Sequence, residues 1–88
     1  MTVLQKEMKV GIHCGVHGRV AVKLAEIAEK NKVDMEIISE KEQVNCRSIL
    51  EVLGLALVQG SHICVRAEGK QAAKALITVK SLLAGQKI

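Results

Sequence analysis

The chain has 88 residues, 49% of them hydrophobic, a formal net charge of +4, three cysteines, and no Phe, Tyr, Trp or Pro. That length suits one small domain, expected to occupy 1–88 with no linker or low-complexity stretch, and its short apolar runs stay far below the roughly 18–20 residues of a membrane span. Without aromatic rings there are no stacking platforms for single-stranded nucleic acid, so the mild positive charge points to an acidic partner protein instead.

Val3 to Val10 alternates as a strand, with Leu4, Lys6, Met8 and Val10 on one face. Gly11 to Gly15 is loop. Gly18 to Lys30 sets Ala21, Leu24, Ile27 and Ala28 on one helical face and Lys23, Glu26 and Lys30 on the other, and Asn31-Lys32 ends it. Val33 to Ser39 alternates again, with Val33, Met35 and Ile37 pointing one way. A polar turn at Glu40 to Glu42 leads to a short strand, Gln43 to Cys46. Ser48 with Glu51 three residues later matches a capping box for a second helix running into Leu53 and stopping near Gly54. After a Gln59-Gly60 turn comes a fourth strand, Ser61 to Ala67, with Ile63, Val65 and Ala67 aligned. A third helix, Lys70 to Ala84, carries Ala72, Leu76, Val79 and Leu83 at helical spacing and has Gly85 as its stop.

The order is β-α-β-β-α-β-α. Strands and helices that are each apolar on one side bury both sides most simply in two layers. The expected fold class is therefore α+β, an open-faced sandwich of a four-stranded antiparallel sheet with three helices on one face.

Chemistry concentrates in Gly15-Val16-His17-Gly18-Arg19. A histidine at the mouth of a helix stands beside backbone N–H groups that have no intrahelical partner, and these with the helix dipole favour an anion. An imidazole can carry a phosphoryl group on one ring nitrogen while the other is anchored. Arg19 adds a fork of donors matched to phosphate oxygens. A histidine at a helix end is commonly only a cap. Its company, with Gly15 and Gly18 baring the backbone and Arg19 within a turn, is what distinguishes this one.

Ser48 is explained by the capping box alone. It is also a candidate phosphorylation site, since a helix N-terminus favours phosphate, although Glu51 would stand close to it. Ile49, Leu50 and Leu53 follow as core residues of which some stay exposed for docking. His13, Cys14 and His17, with Cys46 or with His62 and Cys64, could be read as metal ligands. Their spacing matches no zinc motif, so no metal and no cofactor are expected. An odd cysteine count with no N-terminal leader pattern points to a reducing cytoplasm.

Taken together, these landmarks resemble HPr, the histidine-containing phosphocarrier family of the bacterial phosphoenolpyruvate:sugar phosphotransferase system. That family's run Gly-(Leu/Ile)-His-x-Arg-Pro-Ala-x-x-Leu stands here as Gly15-Val16-His17-Gly18-Arg19-Val20-Ala21-Val22-Lys23-Leu24. Its serine opening the second helix, 31 residues after the histidine, is matched by Ser48. The resemblance implies a phosphoryl carrier rather than a turnover enzyme. His17 Nδ1 would accept phosphate from enzyme I and pass it to an enzyme IIA component, with Arg19 and the Gly18 and Arg19 amides steadying its charge. It also implies docking through Arg47, Ile49, Leu50 and Leu53, and regulation by a serine kinase/phosphorylase acting on Ser48 and by a transcription regulator. The carrier is expected to be a monomer. Three departures stand out: Val20 replaces the family's proline, Gly18 a bulkier residue, and Cys14 a polar neighbour of the imidazole. A regulatory module acting through Ser48 and docking, with little transfer, is the alternative.

Overall fold

The computed structural model describes residues 2–40 and 42–85. The elements follow in the expected order: β1 (Val3–Lys9), α1 (Gly18–Asn31), β2 (Asp34–Ser39), β3 (Glu42–Asn45), α2 (Ile49–Gly54), β4 (His62–Glu68) and α3 (Ala72–Leu83). Boundaries move from the sequence expectation by a residue or two, as terminal residues of an element readily do. Lys41, in the expected turn after β2, lies outside the described residues; its neighbour Glu40 takes a left-handed φ of 52°.

The strands form one sheet in the order β1-β4-β2-β3, antiparallel at every pairing. Met8 pairs with Ile63, and Ile37 with Val65, so the apolar sets of three strands share one face. The helices cover that face, and α1 brings the predicted Ala21, Leu24, Ile27 and Ala28 into the core together with Val20. Leu24, Met35, Ile37, Val65, Val79 and Leu83 are all but sealed from water. Burial of an aliphatic side chain of this kind stabilises by about 1.5–3 kcal/mol, which is how a core without aromatic rings holds together. In β1 only Met8 is buried, whereas Leu4 remains 37% exposed. The cause is position: β1 is an edge strand with a neighbour on one side only, so its core-facing residues stay open along the free edge.

On the uncovered face Arg66 contacts Glu36 at 3.3 Å and Glu68 at 3.6 Å, and Gln43 donates to Glu36 at 2.8 Å. This polar lattice is what lets the second side of the sheet face water. Among the described residues no helix is long and apolar enough to cross a membrane.

Candidate functional site

The loop after β1 is pinned from three sides. The Val10 amide donates to Ser61 and Gly11's to Leu83, while the Gly60 amide donates to the Val10 carbonyl. Next the chain turns tightly, with the Gly15 amide on the Ile12 carbonyl at 2.9 Å, and the Val16 amide reaches the Leu57 carbonyl at 3.0 Å. Gly15 has φ +71°, and a Cβ there would lie 2.5 Å from the Leu57 oxygen. Only glycine permits both that φ and that approach. With Val16 buried directly after it, the exit of the loop is fixed.

His17 follows as the N-cap of α1. Its backbone is extended, its carbonyl accepts from the Ala21 amide at 2.9 Å, and its Nδ1 accepts from the Arg19 amide at 3.3 Å. Accepting at Nδ1 means that this nitrogen carries a lone pair, directed into the helix N-terminus. The ring is half-buried, Gly18 and Arg19 are exposed, and the first turn of α1 holds no acidic residue. Among the described residues Arg19 makes no ion pair, so its guanidinium is available at the mouth of the helix. A Cβ on Gly18 would meet nothing within 4 Å, so its glycine answers no steric need.

Ser48 stands at the N-cap of α2, but the expected capping box does not form: its side chain makes no cap hydrogen bond. The turn is organised by Asn45 instead, whose Oδ1 accepts from the Arg47 amide at 2.8 Å and whose carbonyl accepts from the Ser48 amide at 3.0 Å. An Asx turn of this kind competes with serine capping. Leu50 is 82% exposed, whereas Ile49 and Leu53 are half-buried against the core. Arg47 is engaged internally, with Nε 3.3 Å from Glu29, a terminal nitrogen 3.6 Å from Asp34 and another 3.3 Å from the Ala28 carbonyl.

Those ties place the start of α2 against the end of α1. From residue 17 to residue 29 a helix rises about 18 Å, so His17 and Ser48 lie near opposite ends of α1 and do not form one pocket. Val22 is 40% exposed on α1, as expected of a residue outside the helical stripe of Ala21, Leu24 and Ala28.

The possible metal ligands are dispersed. His13 and Cys14 are exposed on the loop, His62 and Cys64 lie on the uncovered sheet face, and Cys46 is sealed in the core. Among the described residues no group of three or more His, Cys, Asp or Glu converges on one point. Burial, with the nearby Glu36 charge, pushes the Cys46 thiol up to about 12, which keeps it protonated and a poor ligand.

Residues 4–85 match the family model described as "PTS HPr component phosphorylation site". The phosphocarrier protein HPr of Mycoplasma capricolum is 33% identical over 69 residues, 78% of each chain. HPr of Buchnera aphidicola subsp. Acyrthosiphon pisum is 32% identical over 74 residues, 84% of this chain and 87% of its own. The crystal structure of HPr from Bacillus anthracis superposes with a TM-score of 0.86 at 28% identity, covering 94% of this chain and 99% of that one. A structure of an HPr dimer from Thermoanaerobacter tengcongensis gives 0.70 at 25% identity, over 88% and 93% of the two chains.

Proposed function

This chain belongs to the HPr phosphocarrier family of the phosphotransferase system, and from that premise we propose that 1–88 acts as a single cytoplasmic carrier whose acceptor is Nδ1 of His17. The Nδ1 lone pair attacks the phosphorus of phosphorylated enzyme I in line. The N–P bond to His17 forms as the bond to the donor breaks, and the imidazole holds the phosphoryl group until an enzyme IIA component takes it. The carrying observation is the Arg19 amide facing Nδ1 at 3.3 Å. Once Nδ1 is occupied, that N–H and the Gly18 amide turn to phosphoryl oxygens at the positive end of α1. The Arg19 guanidinium closes on the same charge.

Partners dock on the helical layer, where Leu50 and Val22 are exposed and Ile49 and Leu53 are partly buried against the core. Arg47 takes part only by exchanging its internal partners. The carrier is a monomer without cofactor, metal, nucleic-acid or membrane partners. Incubation with phosphoenolpyruvate and enzyme I is expected to place acid-labile phosphate on wild type and none on His17→Ala. An unlabelled wild type, beside a labelled standard HPr, would refute the carrier reading.

A second reading, regulation through Ser48 by a serine kinase/phosphorylase and a transcription regulator, is favoured by one observation: the Ser48 side chain makes no cap bond. Pull-downs with Ser48→Asp should then change the set of bound proteins. An unchanged set removes this reading.

A further inference from the structure

Charge in this chain is not evenly spread. Residues 1–68 hold nine basic and nine acidic side chains, whereas residues 69–88 hold four lysines and no Asp or Glu, so the whole +4 resides in that last segment. Most of the segment is α3. Lys70 just before it, then Lys74, Ile77 and Lys80 along it, recur every three or four residues and share its outward face. All four are exposed, and Ile77 leaves 68% of its surface in water.

This face borders the free edge of the sheet. β1 is the terminal strand and pairs with β4 only, so among the described residues its outward backbone groups have no strand partner. Between that edge and the helix runs an open groove of about 250 Å³, walled by Leu4 and Lys6 of β1 and by Ala73, Leu76, Ile77 and Lys80 of α3. A free edge beside an apolar groove is a template for an added strand. A second copy suits it poorly. Joining two β1 edges would set two α3 faces side by side, each bearing lysines and no carboxylate, and like charges held close repel.

We propose that the β1 edge and the α3 groove dock an acidic, amphipathic segment of a partner protein, added as a fifth strand. Its backbone hydrogen-bonds the outer edge of β1, an apolar side chain rests on Leu4 and Ile77, and carboxylates meet Lys6 and Lys80. The surface shares no residue with the His17 loop or α2, so a protein held here leaves the imidazole open, and the inference stands independently of the carrier reading.

The test uses a capped nine-residue peptide, Thr-Glu-Thr-Val-Thr-Glu-Thr-Val-Thr, titrated into the ¹⁵N-labelled chain. Amide shifts are expected in residues 3–9 and along α3, with at least tenfold weaker binding to the doubly substituted Ile77→Glu/Lys80→Glu chain. The same peptide with Lys for Glu should bind at least tenfold more weakly to wild type. Both substituted positions are exposed, and an unchanged thermal midpoint would show that the variant is folded. The proposal is overturned by any of four results. These are absent shifts or shifts confined to the His17 loop and α2, equal binding of the basic peptide or the variant, peptide-free dimerisation through the same amides, and binding to phosphatidylglycerol vesicles in place of the peptide.

Discussion

Gly15 and Gly18 flank the same imidazole yet answer different demands. At Gly15 a left-handed φ of 71° coincides with a carbonyl 2.5 Å from any added Cβ, whereas at Gly18 the space is empty. Gly15→Ala should therefore cost at least about 1–3 kcal/mol of stability, while Gly18→Ala should gain about 0.4–1 kcal/mol by restricting the unfolded chain. Urea unfolding of the two variants measures both. Cys46 predicts a pH dependence. Its thiol stays neutral in the fold up to about 12, against an ordinary value of 9.0. Below pH 9 both states hold the proton and the group contributes no slope. Between pH 9 and 12 the unfolded chain loses the proton while the fold keeps it, so stability falls as pH rises, by up to about 1.4 kcal/mol per unit. Cys46→Ala should show a shallower decline over that window, and alkaline unfolding curves would reveal it.

At the scale of the element, the start of α2 corrects a sequence rule. Serine three residues before glutamate predicts a capping box, but the Asn45 side chain organises the turn and the Ser48 hydroxyl makes no cap bond. Ser48→Ala should then change stability by less than about 0.5 kcal/mol, while Asn45→Ala should lose about 0.5–1.5 kcal/mol with its hydrogen bond. Thermal or urea denaturation of the pair decides which residue holds the helix start. Elsewhere the elements were legible because periodicity acts locally. Ala21, Leu24, Ile27 and Ala28 form one buried stripe, and Ile63, Val65 and Ala67 one buried strand face, as their spacing requires. Asn45 was hard to see because its competing bond reaches only two residues along the chain and leaves no periodic mark.

For the whole molecule, the helical layer separates two jobs. The core side of α2 contributes Val52, and its outer side presents Leu50, 82% exposed. Leu50→Glu should leave the unfolding midpoint unchanged and, if this surface receives enzyme I, raise the KM for phosphotransfer about tenfold or more, the effect of losing a single interface anchor. Transfer kinetics with purified enzyme I measure it. Because Arg47 fastens α2 to the end of α1 remote from His17, a phosphate on Ser48 would change charge on the docking layer without touching the imidazole.

The sequence by itself determined the order of elements, their buried faces and the His17-Gly18-Arg19 helix mouth, since each depends on residues a few positions apart. Only the tertiary structure decided that β4 lies between β1 and β2, that Gly15 is wedged against Leu57, that Arg47 is committed to Glu29 and Ala28, and that Ser48 is remote from His17. Those facts depend on which distant segments share a boundary, and a one-dimensional pattern carries no distance between residues far apart along the chain.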